Sequence, residues 1–511
     1  MANIAIVQAR TGSTRLPGKV LMKLDDKTVL EHVIEQLQKS NLDRIIIATS
    51  NKEQDNEIET LANKINIEIF RGDEDNVMKR YLDTAEKFNI QDTDLIIRIT
   101  ADCPLINEKI INEMLNFHNG DYTYNNVSKS MIPRGFDVEI FSLNTLKKAY
   151  QEVDKLPEDK KKFYQEHVSK YLADNPDSYK HNLFTPCHEL KRPDLNFSID
   201  TKEDFERVQK VLEQVKELTP KNIAKLFPKP EIAIYAVSTP EIGTGHLTRM
   251  IILSDILKDK IDCSVTFYVN DIQENKDLLK NKNFKAIDLS KDNVKEVVQN
   301  TKANIHIIDI MKMNEKFQDN VIIIDTPFDK EDRIIIKNVF KRRNEINKEV
   351  KNILVTMGGS DPDNATENIV KALQDKENIT VILGPMFKDK DEIKQLSNKI
   401  TFLENVNNMQ ELIDNADIGI GSAGATIREM IFSGLPSISI AVSEQQIPNT
   451  TAVGKNGYAI DIQRNPTQEQ ILTAVNKLEN YETRKDIYEK QAQYKPDTEE
   501  IINEIITCLI P

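Results

Sequence analysis

The segment NIAIVQARTGSTRLPGKVL, residues 3–21, decides the reading of the fold. Its first six residues make an apolar run of the length of one buried strand, and a loop follows directly. In open α/β sheets, ligands bind at loops that leave the carboxyl ends of strands. This loop, QARTGSTRLPGKVL (8–21), carries Arg10, Arg15 and Lys19. Gly12 and Gly18 permit a tight turn and a close backbone approach, and Ser13 and Thr14 add hydroxyl donors. Amides and cations at this density suit a triphosphate, whose charge must be neutralised and whose oxygens need donors. The spacing is not that of a Walker A loop.

Outward from the loop, apolar runs at 44–49, 67–70 and 94–99 read as further buried strands. Between them, 28–39, 53–64 and 76–88 show helical spacing. This alternation predicts an α/β fold with a mostly parallel sheet and helices on both faces. Two aspartates stand near the strand ends: Asp102 in RITADCPLI, and Asp200 in LNFSIDTKEDFERV, between a strand and a helix. Magnesium takes a few carboxylates together with phosphate oxygens and water. Taken alone, each aspartate is better explained as a helix N-cap, and Asp200 could serve both roles.

The rhythm restarts after Pro228 and Pro230, with a strand at 232–236, and again at KNILVT, 351–356. The expected domains are 1–228, 231–348 and 349–511. In the second half, STPEIGTGHLTRMIILSDIL (238–257) sets Gly243 and Gly245 around a turn, then His246 at the start of a helix. A glycine-rich turn feeding a helix suits an anion such as a diphosphate, and a histidine there also suits a cap. ILVTMGGSDPDNAT (353–366) and ADIGIGSAGATIREMIFSGLPSISIAVSEQQIPNT (416–450) each read as strand, small-residue loop and helix. The final 40 residues or so read as helices.

Composition bounds the function. The chain has 511 residues and a formal net charge of -14, which argues against general nucleic-acid binding. No run of about 18 apolar residues appears, so no membrane insertion is expected. The first residues lack the pattern of a signal peptide. The four cysteines are widely spaced, as a reduced cytoplasmic setting would allow.

Residues 1–225 resemble the cytidylyltransferase family that includes the spore-coat polysaccharide protein F type and, more distantly, the CMP-sugar-acid synthetases. The matching segments are QARTGSTRLPGKVL, FRGDEDNVMKRYLDTA, IRITADCPLI, PRGFDVEIF, EHVSKYL and FSIDTKEDF. The resemblance implies a nucleotide-diphospho-sugar-transferase-like, Rossmann-like domain. It implies that Arg10, Gly12, Ser13, Arg15 and Lys19 bind the triphosphate of CTP, with Arg10 and Lys19 also catalytic. It implies that Asp102 and Asp200 bind Mg2+. Arg71, Gly72 and Arg98 fall on the nucleotide side, and Arg134, Asp137 and Glu139 on the side of a sugar-acid or phosphorylated acceptor. Ala101 departs from the glycine common in relatives. No general base is assigned; His167 is a candidate.

Residues 231–480 resemble a two-lobed GT-B-like family, that of the UDP-sugar hydrolase of pseudaminic acid synthesis and spore-coat polysaccharide protein G. By this resemblance His246 is catalytic and Gly243 and Gly245 shape its cleft. Gly358, Gly359, Ser360, Gly424, Thr426 and Glu429 contact the nucleotide of a UDP-sugar, and Gln445 and Gln446 lie near its sugar. HIIDIMKM carries Asp309 without the tyrosine two positions on that those hydrolases show, which leaves the hydrolytic reaction open. The expected whole is a bifunctional enzyme of surface-glycan precursor synthesis. Alternatives for the second half are a true glycosyltransferase or a non-catalytic binding module. A homodimer stays open.

Overall fold

The computed structural model describes residues 1–239, 245–310, 316–317, 320–324, 335–336, 340–406 and 408–511, with the backbone alone at 445. The chain forms two compact units. One is Met1–Pro230 with 259–262 and 509–511; the other is Glu231–Lys258 with Cys263–Cys508.

The first unit is built on seven strands: β1 (Asn3–Gln8), β2 (Arg44–Ser50), β3 (Glu68–Gly72), β4 (Leu95–Thr100), β5 (Tyr122–Tyr124), β6 (Glu139–Ser142) and β7 (His181–Leu183). Their order is β3-β2-β1-β4-β6-β5-β7. β1 to β4 are parallel, and β6 runs antiparallel to β4 and β5. The apolar runs are continuous because both faces are covered. Ala5, Val7, Ile97 and Ile99 enter one core, and Ile4, Ile6 and Ile96 the other. Helix α1 (Val29–Gln38) opens with a capping box between Thr28 and Glu31. Helices α2 (Asn56–Lys64) and α3 (Val77–Lys87) follow β2 and β3.

Among the described residues, the second unit holds two parallel sheets. The first contains β8 (Glu231–Ala236), β9 (Ser264–Asn270), β10 (Asn283–Ile287), β11 (Ile305–Asp309) and β12 (Val321–Ile323), in the order β10-β9-β8-β11-β12. The second contains β13 (Ile353–Thr356), β14 (Ile379–Ile382), β15 (Thr401–Leu403), β16 (Ile418–Ser422), β17 (Ser437–Ala441) and β18 (Ile460–Arg464), in the order β15-β14-β13-β16-β17-β18. Both orders reverse direction beside their first strand, as in doubly wound nucleotide-binding folds. The final residues are helical, as the sequence predicts: Gln468–Glu479, Tyr481–Gln491 and Thr498–Leu509. Among the described residues no helix is long and apolar enough to cross a membrane.

Strands β5 to β7 are absent from the sequence reading. They are three or four residues long, and their sequences, YTY, EIFS and HNL, contain no aliphatic run.

Candidate active sites

In the first unit the strand order reverses between β1 and β4, and the loops after these two strands make one cavity of about 290 Å³. Its lining includes Gln8, Arg10, Gly12, Ser13, Arg15, Lys19, Asp102 and Asp200. Lys19 bridges the two acids: its Nζ donates to Asp102 Oδ2 at 2.7 Å and to Asp200 Oδ1 at 2.8 Å. Arg15 Nη2 lies 3.1 Å from Asp200 Oδ2. Burial opposes the charge on Lys19, but Asp102 and Asp200 outweigh it and raise its pKa. Burial likewise pushes the Asp200 carboxyl up, and Lys19 and Arg15 bring it below its ordinary value.

Neither acid acts as a side-chain N-cap. The helix Lys202–Gln214 is capped by Thr201 in a box with Asp204. Asp204 also accepts from the Asp200 backbone N–H at 3.1 Å, so the Asp200 carboxylate faces the cavity cations.

The loop is held from below by a residue the sequence reading missed. Asp55, with no exposed surface, accepts from the Thr11 N–H at 2.8 Å, the Thr11 hydroxyl at 2.6 Å and the Ser50 hydroxyl at 2.5 Å. Burial raises its carboxyl, and these donors more than reverse the effect. Its position before α2 looks like an ordinary N-cap in sequence, but its side chain makes no cap bond.

Several expected residues lie elsewhere. Arg71 does not line the cavity. It ties the first turn of α2, through Asn56 at 2.5 Å and Glu59 at 2.8 Å, to the carbonyls of Ser50 at the end of β2 and Lys52 just after it. Gly72 packs on Arg80, where an added Cβ would meet Arg80 Cγ at 3.0 Å. Arg98 and Glu139 face each other in the β4–β6 register and pair directly. Glu139 also accepts from Tyr122 and, at 2.6 Å, from Ser169. Arg98 reaches towards the cavity through Gln8, at 3.4 Å. His167 stacks edge-on against Phe163, 5.0 Å between centroids, at the end of a helix.

Arg134 is exposed, and Asp137 is half-buried beside it. Asp137 accepts from the Gly135 N–H at 2.8 Å, and burial raises its carboxyl to about 6. Gly135 has φ +99°, and a Cβ there would sit 2.6 Å from the Phe197 carbonyl carbon. The 134–137 turn is thereby pressed against the segment leading to Asp200, tied by Arg134 N–H to Leu195 O and Phe197 N–H to Arg134 O.

In the second unit, helix α4 (Gly245–Lys260) follows β8. Gly243 lies outside the described residues. His246 Nδ1 is 2.9 Å from Asp309 Oδ1, at the end of β11. Arg249, one turn on, clamps Asp309 with Nε and Nη2, both at 2.5 Å. Burial would raise the Asp309 carboxyl, but Arg249 and then His246 hold it well below the usual range. Nδ1 faces two groups, the Asp309 carboxylate, which can only accept, and Arg249 Nη2 at 3.1 Å, which can only donate; with the proton on Nδ1 and directed at Asp309, Nε2 is left as an acceptor. The sequence showed Asp309 only as part of a departure from relatives; its pairing with a residue 63 positions away needed the fold.

The third reversal, between β13 and β16, brings two small-residue loops together. Gly358 has φ +81°, and a Cβ there would lie 3.5 Å from Ser422 Oγ and 3.8 Å from Thr426 Oγ1. Gly359 and Ser360 continue this loop. Asp361 then occupies the start of helix α5 (Ala365–Leu373), accepting from the N–H groups of Ala365 at 2.9 Å and Thr366 at 2.7 Å. Helix α6 (Ala425–Phe432) starts at Gly424 with no side-chain cap, so its first N–H groups suit an anion. Glu429 is half-buried one turn into α6. Gln446 Nε2 would lie 3.7 Å from a Cβ on Gly424, and Gln445 precedes it in the turn Glu444–Gln446.

These features define an α/β domain of nucleotidyltransferase type, followed in the chain by a unit of two parallel sheets of glycosyltransferase type. Residues 4–233 match the family model described as Cytidylyltransferase, and residues 352–505 that of the Glycosyltransferase family 28 C-terminal domain. The chain is 38% identical over 209 residues to the uncharacterized protein MJ1063 of Methanocaldococcus jannaschii, covering 40% of this chain and 81% of that one. It is 32% identical over 222 residues to the spore coat polysaccharide biosynthesis protein SpsF of Bacillus subtilis, covering 42% and 87%. A solved cytidylyltransferase from Leptospira borgpetersenii is 29% identical, covering 44% and 94%, with a TM-score of 0.40. The chain belongs, through its first unit, to the cytidylyltransferase family, and it carries a glycosyltransferase-family-28-like domain behind it.

Proposed function

We propose that the first unit transfers CMP from CTP to a sugar acid, and that the second cleaves a UDP-sugar, in one route to a surface-glycan precursor. The cluster of Arg10, Arg15 and Lys19 around Asp102 and Asp200 carries the first part of this reading. The three cations hold the triphosphate. An acceptor oxygen attacks the α-phosphorus, the bond to the bridging oxygen breaks, and pyrophosphate leaves. Arg10 and Lys19 neutralise the charge that develops on the phosphate oxygens.

Asp102 and Asp200 fit magnesium: two carboxylates reach one point, where a cationic nitrogen now sits, and the ion takes its remaining oxygens from phosphate and water. Among the described residues no group of three or more His, Cys, Asp or Glu offers a different metal a fuller cage. When bound, magnesium supplies charge stabilisation to the phosphates. Arg134 and Asp137 lie on the acceptor side, where Arg134 suits a carboxylate.

In the second unit, Asp309 orients His246 so that Nε2 takes a proton from the attacking oxygen. The bare start of α6 and the Gly358 loop receive the diphosphate, and Glu429 the ribose. If the attacking oxygen belongs to water, the reaction is hydrolysis. If it belongs to a sugar, it is glycosyl transfer, a second reading favoured by the family 28 match at 352–505. Pyrophosphate release measured with each of the four nucleoside triphosphates and a panel of sugar acids tests the first activity. UDP release from UDP-sugars, with and without a sugar acceptor, tests the second. No pyrophosphate with CTP and any acid would overturn the first; no UDP under either condition would leave a binding module.

A further inference from the structure

We propose that Lys19 reserves the two-carboxylate site for a metal ion that arrives with its nucleotide, so that the free protein does not take up the ion there. This rests on the reading of Asp102 and Asp200 as magnesium ligands. The Lys19 ammonium stands 2.7 Å from one carboxylate and 2.8 Å from the other, in the place from which one cation reaches both. Its side chain is 9% exposed, so the contacts are made largely out of water, where charge-assisted bonds count most.

Charge balance decides which cation can displace it. Arg10, Arg15 and Lys19 line the cavity with Asp102 and Asp200, three cations to two carboxylates. A bare divalent ion would enter a site that is already net positive and would strip the ammonium of both partners. A metal–triphosphate complex is net negative, and its oxygens offer Lys19 new acceptors as it leaves the aspartates. Lys19 then trades one set of anionic oxygens for another, with no stage at which a buried charge stands alone. The backbone at this point is set by Gly18, at φ +71°, whose N–H donates to Thr11 O at 2.9 Å.

The test uses Mn2+ as the probe and the full chain, following the free-ion paramagnetic signal without nucleotide. Lys19→Gln should bind Mn2+ alone at least about tenfold more tightly than the wild type, and adding Asp102→Asn should cancel the gain. Equal affinity in wild type and Lys19→Gln would overturn the proposal. So would stoichiometric micromolar Mn2+ uptake by the nucleotide-free wild type at a site lost in Asp102→Asn, a result that needs no Lys19 variant. The underlying metal reading fails separately: in that case Asp102→Asn and Asp200→Asn leave the Mn2+ signal of the wild-type CTP complex unchanged.

Discussion

Asp55 Oδ1 accepts two hydrogen bonds from Thr11, one from the backbone and one from the hydroxyl, across 44 positions of sequence. Thr11 sits between Arg10 and Gly12, so the loop proposed to hold the triphosphate is shaped by the protein's own contacts. Asp55→Ala leaves buried donors unpartnered, a loss of about 1–3 kcal/mol. The melting temperature should fall, and calorimetric affinity for CTP should drop about tenfold or more. Unchanged CTP affinity would mean that the loop is ordered by something else.

Asp102→Asn and Asp200→Asn should each reduce pyrophosphate release by roughly a hundredfold or more, because a hard cation loses a charged oxygen ligand. Circular dichroism should report an intact fold. Near-normal turnover at ordinary magnesium would remove the aspartates from the chemistry.

Gly135→Ala combines a left-handed backbone with a Cβ 2.6 Å from one backbone atom and 2.8 Å from another, the Ser198 nitrogen. Neither neighbour is a flexible side chain. The variant should lose on the order of 2–4 kcal/mol of stability, measured by denaturant unfolding.

Asp137 gives a pH signature. Its folded pKa is about 6 against an ordinary 3.8, so the folded chain holds a proton that the unfolded chain has released between those values. The resulting stability is complete below about pH 4 and disappears as pH rises through about 6. Asp137→Asn removes this dependence. Relative to the wild type, the variant should gain on the order of 2–3 kcal/mol between about pH 4 and pH 7. Parallel stability curves for the two proteins would contradict the burial argument.

His246→Ala should eliminate UDP release and leave CTP-dependent pyrophosphate release unchanged. Asp309→Asn should lower UDP release by about a hundredfold or more, since the amide no longer enforces the Nδ1–H tautomer. A well-folded His246→Ala protein with normal UDP release would exclude the imidazole from the reaction.

Much of this was legible in the sequence where local pattern and structure coincide. The aliphatic runs at 3–8, 44–49 and 94–99 became β1, β2 and β4, and the loop after β1 lines a cavity with both predicted aspartates. What stayed hidden depends on register and on distant partners. Arg98 looks available on its strand, yet antiparallel pairing with β6 sets Glu139 opposite it. Arg71 is adjacent to the correct loop but is spent on Glu59 and Asn56. Asp361 sits in a glycine-rich turn that invites a phosphate, and its own carboxylate fills the helix start instead.

The Arg98–Glu139 pair bears on how this enzyme can vary. Both side chains are largely shielded, at 22% and 17% exposed, and they pair within a network that includes Tyr122 and Ser169. Replacing either one strands a charge in the sheet, at roughly 3–5 kcal/mol, a large share of a domain's stability. Replacing both with apolar residues of similar volume removes the stranded charge but leaves the Tyr122 and Ser169 hydroxyls without their acceptor. The two positions are therefore energetically coupled: the cost of changing one depends on whether its partner is still present, and the effects of the two single replacements do not add.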